Sequence, residues 1–210
     1  LLLRRLRGQA ERHRGLGVAV ILRYTLWLLT LDQLGRAAAL ACALELIRRQ
    51  HPERLGAERF TVGLWVGSTA TANTLDVVKR KVSEYKGGQE ASNPCPLPSC
   101  PWCGHRLERN SVTIETRGGR TRLRVACVNE ACDFCAAHRQ ELPLVFVDEQ
   151  VYAELPSFVI GTVDKFAMLP WRAEAGMLFG KVLARGEGCF LGPHEKVPTT
   201  AEPIPGGLLP

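Results

Sequence analysis

Two apolar runs in this chain, residues 18–22 and residues 158–160, each pass into a polar stretch and then into a helical pattern. A continuous apolar run is typical of a strand that is covered on both faces of a parallel sheet. Residues 60–66 and 144–147 have the same apolar character and predict two further strands. Strands that alternate with helices predict an α/β fold with a parallel sheet.

The first helix is predicted to begin at Thr30. Gln33, three residues later, completes a capping-box pattern. Apolar residues then recur at helical spacing to Ile47, and Pro52 stops the helix. A second helix is predicted after a cap at Asn73 or Thr74, and the glycine pair at residues 87 and 88 ends it.

The middle of the chain is rich in cysteine: six of the eight cysteines fall between residues 95 and 135. Cys100-Pro-Trp-Cys103 has the spacing of a metal knuckle, because two thiolates separated by two residues can bind one ion. Residues 112–116 and 121–125 alternate in polarity around a glycine pair, which predicts a hairpin. A knuckle, a hairpin and a second cysteine group together predict a zinc ribbon that holds one structural zinc ion.

The spacing leaves the second pair of ligands open. Cys132 could pair with Cys127 or with Cys135, and His105 or His138 could replace a thiolate. Two cysteines outside this choice are interpreted differently: Cys95, between two prolines, is predicted on a linker, and Cys42 in the core of the main domain.

Four segments follow from these patterns. The main domain is predicted at residues 1–90 and 141–185, the zinc-ribbon insertion at residues 91–140, and a Pro/Gly-rich loop or disordered tail at residues 186–210.

Positive charge is concentrated at one end of the chain. Residues 1–60 contain eleven arginines and five acidic residues, which accounts for the whole net charge of +6. A basic surface there would attract a phosphate backbone in a salt-dependent way. The apolar stretch that follows residue 15 is interrupted by charges and is too short to span a membrane, and no signal-peptide pattern is visible, so we expect a cytoplasmic protein with no membrane partner.

The two strand-to-helix junctions together carry a family resemblance. Arg23-Tyr24-Thr25, Gln33 and Arg36, with Gly161-Thr162-Val163-Asp164-Lys165-Phe166 downstream, resemble the first motor domain of superfamily-two helicases. The pattern looks most like the helicase-like protein of the bacterial DISARM antiphage system, over roughly residues 15–185. The resemblance implies a RecA-like sheet of the P-loop NTPase type, carrying an inserted zinc ribbon. It also implies two motifs that hold one nucleic-acid strand by its backbone.

Roles for individual residues follow from the resemblance. Arg23 and Lys165 would neutralise phosphates, Thr25 and Thr162 would hydrogen-bond to phosphate oxygens, and Asp164 would cap a helix that faces the strand. Gln33 would contribute to the same track. The second motif has Val163 where many members have proline, and Asp164-Lys165 for Gly-Arg. The resemblance also favours Cys127 and Cys132 as the second pair of zinc ligands.

No Gly-x-x-x-x-Gly-Lys-Ser/Thr motif occurs in the chain. The family places that loop before residue 1 and its metal-binding Asp-Glu motif after residue 210, so the sequence is interpreted as an internal fragment of an ATP-dependent helicase or translocase. ATP and Mg²⁺ would act only in the full-length parent. Asp148-Glu149 resembles a metal-binding strand end, but without a phosphate loop we interpret it as a strand followed by a short helix, with Asp148 as the cap.

The expected partners are nucleic acid, most simply DNA, and other proteins of the defence system. The alternative is a non-enzymatic zinc-ribbon adaptor that binds nucleic acid or a protein.

Overall fold

This computed structural model describes residues 16–25, 27–67, 71–88, 93–117 and 120–208. Within these ranges the strands are β1 (Val20–Tyr24), β2 (Val62–Trp65), β3 (Val112–Arg117), β4 (Arg120–Val125), β5 (Leu144–Val145), β6 (Phe158–Thr162), β7 (Ala184–Gly186), β8 (Cys189–Leu191) and β9 (Glu202–Pro203). The α-helices are α1 (Trp27–Gln50), α2 (Pro52–Leu55), α3 (Leu75–Lys86), α4 (Asp148–Glu154) and α5 (Val163–Ala167). Short 3-10 turns cover Arg109–Ser111, Ala136–His138, Leu169–Trp171 and Ala173–Phe179.

Four parallel strands form the central sheet, in the order β1-β6-β2-β5. The predicted α/β class and parallel sheet are confirmed. The apolar runs explain why β2 and β6 are buried, because helices and loops cover both faces of a parallel sheet. Burial on both faces is wrong for β1, which lies at the edge of the described sheet and leaves Val20 40% exposed.

The first long helix begins earlier than predicted. Helix α1 starts at Trp27, so Thr30 is its fourth residue and lies fully buried, and Gln33 cannot complete a capping box there. Leucine is a strong helix former, so the leucines before Thr30 extend the helix by a turn. The end at Gln50 agrees with the prediction, with Arg48 and Arg49 in the last turn.

Helix α3 has the predicted cap. The Oγ1 atom of Thr74 accepts a hydrogen bond from Val77 N at 3.4 Å, and the helix ends at Lys86 before Gly87. Val78 and Val82 face the core from this helix. In the described part of the chain, no helix is long and apolar enough to cross a membrane.

The cysteine-rich insertion packs directly onto the main domain. Strands β3 and β4 form the predicted antiparallel hairpin, from Val112 opposite Val125 to Arg117 opposite Arg120. Its buried residues share one hydrophobic core with α1 and the central sheet. The guanidinium of Arg49 on α1 lies 5.1 Å from the ring centroid of Phe134 in the insertion. Cys95, which was predicted on a linker, is buried in this core.

An ion-pair network around the buried carboxylate of Glu141 joins the same two parts. Glu141 is paired with Arg59, which precedes β2, and with Arg122 and Arg124 of β4. Burial would raise the pKa of Glu141, but these three arginines hold it below its ordinary value of 4.5.

The C-terminal segment is ordered. Strands β7, β8 and β9 form an antiparallel sheet in the order β8-β7-β9, so part of the segment that was predicted as a loop or disordered tail forms strands, while residues 192–201 are a loop. Phe190, Ile204 and Leu208 are buried in a second core cluster. The prolines and glycines of this segment mark turns between short strands, and a few well-spaced apolar residues suffice to bury it.

Candidate metal centre and nucleic-acid interface

Four cysteines converge at one point of the insertion. The Sγ atoms of Cys100, Cys103, Cys127 and Cys132 all lie within 4.8 Å of one another. The Sγ atoms of Cys100 and Cys132 are 3.9 Å apart, and those of Cys103 and Cys127 are 3.6 Å apart. Four thiolates placed tetrahedrally at about 2.3 Å from a zinc ion would be about 3.8 Å apart. A disulfide requires about 2.05 Å, so the spacing fits a metal and not a covalent bond.

Backbone turns hold the first two sulfurs in place. Cys100 N donates to His105 O at 2.7 Å, and Gly104 N donates to Cys100 O at 2.9 Å. Gly104 has φ of 75°, a left-handed conformation that a residue with a Cβ rarely adopts. The sequence therefore places a glycine where the chain must reverse directly behind the second thiolate.

The second pair is held by a similar turn. Cys132 N donates to Asn129 O at 2.9 Å, and Cys127 N donates to Phe134 O at 2.9 Å. Asn129 N donates to the sulfur of Cys127 at 3.4 Å. Amide donors of this kind stabilise thiolates and orient them toward a shared ion.

The thiols differ in acidity because their surroundings differ. Burial raises the pKa of Cys127 to about 11 and also raises that of Cys132. Burial also acts on Cys103, but the backbone amide of His105 and the neighbouring thiols lower its pKa overall. A bound divalent cation would reverse the unfavourable effect of burial, since it deprotonates a coordinating thiol outright. The donor set therefore fits a structural zinc site, in which four thiolates leave no open position.

The remaining candidate ligands have other surroundings. Cys135 lies outside the group of four, and its sulfur accepts a hydrogen bond from Ala137 N at 3.4 Å. The Nε2 atom of His138 lies 2.9 Å from Glu130 O, and His105 lies outside the group as well. The geometry thus brings together the pair Cys127 and Cys132 and not the pair Cys132 and Cys135.

The two predicted junctions are neighbours in the sheet. Strands β1 and β6 pair in parallel, with Arg23 opposite Gly161 and Tyr24 opposite Thr162. Both strands therefore end at the same edge, where ligands of open α/β sheets bind. Arg23 and Thr25 are exposed there, and Thr162 is 8% exposed. Thr162 Oγ1 has no hydrogen-bond partner among the described residues.

The positions of Asp164 and Gln33 in their helices bear on the roles predicted for them. Asp164 is the second residue of α5, while the N-cap position is Thr162, so Asp164 is exposed and does not cap the helix. Gln33 is half-buried in the second turn of α1, the helix that follows β1.

Lys165 makes contacts that the sequence does not predict. Its Nζ atom is ion-paired with Asp148 and lies 3.3 Å from Asn73 Oδ1. These three residues follow β6, β5 and β2, so the parallel sheet gathers them at one edge. Burial raises the pKa of Asp148, although Lys165 opposes that shift. Asp148 is the first residue of α4 behind an N-cap at Val147, so its predicted capping role is wrong.

No protein-family model matches the chain. The chain is similar to part of the DISARM protein DrmA of Bacillus paralicheniformis. The two are 37% identical over 184 residues, which is 82% of this chain. The similarity supports a relationship to DISARM proteins, as the two junctions predicted. The chain spans only 16% of the length of DrmA.

Proposed function

We propose that this chain is the strand-holding part of a DISARM-type protein, acting in bacterial antiphage defence as part of an ATP-dependent helicase or translocase. In this proposal its parallel sheet belongs to a RecA-like motor domain. ATP and Mg²⁺ bind elsewhere in the parent protein, and the ligand is the backbone of one DNA strand. The similarity to DrmA over most of the chain supports the defence role.

One observation carries the nucleic-acid part of the proposal. The parallel register sets Arg23 opposite Gly161 and Tyr24 opposite Thr162, so two junctions 138 residues apart in sequence open onto one edge. The Arg23 side chain is exposed and has no ion-pair partner among the described residues, which leaves its charge available to a phosphate. The hydroxyls of Thr25 and Thr162 would hydrogen-bond to phosphate oxygens of the same strand.

Lys165 acts differently from Arg23 in this proposal. It is held by Asp148 and Asn73, so it reaches a phosphate only by leaving a buried carboxylate. That exchange costs part of the binding energy. Replacing Asp148 by asparagine should therefore strengthen strand binding, because the lysine loses its internal competitor and keeps a neutral neighbour of the same shape.

The zinc ion is structural in this proposal. Cys100, Cys103, Cys127 and Cys132 would hold it, and its binding energy would fold the hairpin and the two knuckles against α1. The adaptor alternative gives the ribbon the ligand-binding role instead. It predicts that changes at Arg23 and Asp148 leave nucleic-acid binding unaltered.

A salt titration tests the track. Fluorescence anisotropy with labelled single-stranded DNA should show weaker binding by Arg23→Ala, and the slope of log affinity against log salt should fall by about 0.7. Arg54→Ala is the matched control. Arg54 is an exposed arginine on α2, which leads into the amino end of β2 and therefore lies away from the carboxyl edge.

Two results together would reject the strand-holding function. One is that Arg23→Ala binds like Arg54→Ala in both affinity and slope. The other is that Asp148→Asn binds no more tightly than the unaltered protein while remaining folded and zinc-loaded.

A further inference from the structure

A second basic surface lies at the end of the fold opposite the predicted track. A groove of about 740 Å³ lies between the C-terminal end of α3 and the residues that follow the first pair of zinc-binding cysteines. The residues of this groove that the argument uses are Tyr85, Lys86, Arg106, Glu108, Arg109 and Asn110. Helix α3 begins beside Asn73, at the carboxyl edge of the sheet. Its 12 residues rise about 1.5 Å each, so Lys86 at the other end of the helix lies about 18 Å from that edge.

The cations of the groove are not neutralised by ion pairs with described residues. Lys86, Arg106 and Arg109 are exposed, and none has an ion-pair partner among the described residues. Among the described residues that line the groove, Glu108 is the carboxylate. The arginines of β4 contrast with this, because Arg122 and Arg124 are paired with Glu141.

The end of a helix explains only part of this charge. Cations near the C-terminus of α3 are favourable for the helix dipole, which accounts for Lys86 and Arg109. Arg106 belongs to the zinc knuckle, where it forms an isolated β-bridge with Ser99. The dipole of α3 gives no reason for a third cation on that separate element.

The groove is held in shape by its own contacts. The guanidinium of Arg109 lies over the ring of Tyr85, 5.7 Å from its centroid. Leu107 N donates to Pro98 O at 3.0 Å, and Asn93 Nδ2 donates to Leu107 O at 3.2 Å. The backbone between Arg106 and Arg109 is therefore fixed to the knuckle, and the contact with Tyr85 restrains the guanidinium of Arg109.

The geometry points to a second binding site in this groove, for the phosphodiester backbone of a single nucleic-acid strand. Three exposed cations along one groove suit the phosphates of a single strand, and single-strand binding surfaces combine such a positive groove with aromatic side chains such as Tyr85. Asn110 adds an amide that can donate to phosphate or sugar oxygens. The site shares its ligand class with the proposed function, but none of its residues belongs to the carboxyl edge.

The test compares two triple variants of the zinc-loaded chain. Lys86→Ala/Arg106→Ala/Arg109→Ala removes the groove cations, and Arg54→Ala/Lys181→Ala/Lys196→Ala removes the same charge from exposed positions elsewhere. With a labelled 20-nucleotide oligothymidine, the groove variant should lower the salt slope by about 2, which is about a hundredfold in affinity at 0.1 M salt. The control variant should change neither value by more than a small fraction of this.

A footprint on the unaltered protein provides a second measurement that does not depend on how the variant folds. Acetylation of Lys86 by an amine-reactive ester should slow when the oligonucleotide is present, while acetylation of the exposed Lys181 should not. Equal acetylation of Lys86 with and without DNA would overturn the proposal, as would equal behaviour of the two triple variants.

Other outcomes distinguish nucleic-acid binding in the groove from binding of an acidic polypeptide and from binding at the track alone. Competition by polyglutamate at the same charge concentration as the DNA would overturn the assignment in favour of an acidic polypeptide. A loss of affinity in the groove variant, with no effect of either Arg23→Ala or Asp148→Asn, would support the groove and reject the track. The reverse pattern would reject the groove alone.

Discussion

Replacing Cys127 by serine should remove the zinc ion, whereas replacing Cys135 should not. The two residues are a matched pair, because both are buried cysteines of the insertion and they form an isolated β-bridge with each other. Only Cys127 has its sulfur in the group of four, 3.6 Å from the sulfur of Cys103. The Cys135 sulfur accepts a hydrogen bond from Ala137 N instead.

The expected magnitudes differ enough to separate the two variants. Structural zinc in small domains contributes about 10–16 kcal/mol, so an equal share for each of four thiolates is about 3 kcal/mol. That is more than a hundredfold in zinc affinity. Serine at position 135 keeps an oxygen that can accept from Ala137 N, so Cys135→Ser should cost about 1 kcal/mol of stability and leave zinc affinity within a few-fold.

Elemental analysis and competition with a chromophoric chelator measure both effects. The unaltered chain and Cys135→Ser should each carry about one zinc ion per chain, and Cys127→Ser should release it to a chelator that the other two resist. The reasoning fails if Cys127→Ser retains zinc as tightly as the unaltered chain. It fails equally if Cys135→Ser releases the ion, since the second knuckle would then be Cys132 with Cys135.

Two further predictions concern stability. Glu141→Gln should lower the free energy of unfolding by about 1–3 kcal/mol near neutral pH, because it removes the charge of a buried carboxylate that is paired with three partly exposed arginines. The folded-state pKa of Glu141 lies below 4.5, so its contribution is complete above that pH and is lost as the pH falls through the folded value. Urea titrations at pH 7 and pH 3 should therefore show a smaller gap at pH 3, and an equal gap would contradict this account. Gly161→Ala should cost about 1–3 kcal/mol, because a Cβ there would lie 3.0 Å from Phe166 and 3.3 Å from the Trp65 carbonyl oxygen. Gly35→Ala, with nothing within 4 Å of its added Cβ, should instead stabilise α1, and the same urea midpoints check both changes.

The features that the sequence predicted well are local. The knuckle at Cys100 and Cys103 needs only a two-residue spacing and a following glycine, and the hairpin of β3 and β4 needs only alternation and a turn. The end of α1 is marked by basic residues and a proline within a few positions. The start of α1 was misplaced for a similar reason: a capping pattern at Thr30 competes with strong helix formers before it, and propensity prevailed.

The C-terminal segment shows where composition misleads. Its prolines and glycines predicted a loop, yet β7, β8 and β9 form a sheet, and Phe190, Ile204 and Leu208 of the same segment are buried in the second core cluster. Each strand is only two or three residues long, so no periodicity reveals it. Its stability comes from the surface it packs against, which a single stretch of sequence does not display.

Contacts between distant residues were decided by the tertiary structure alone. Lys165 meets Asn73 across 92 positions, and Arg59 meets Glu141 across 82. The sequence by itself determined that two junctions carry residues suited to phosphate and that the insertion carries thiolates suited to zinc. The order β1-β6-β2-β5 decided that those junctions share one edge and that Lys165 faces Asp148 there. Strand order is set by burial of the whole sheet, and therefore by all the apolar segments together rather than by any one of them.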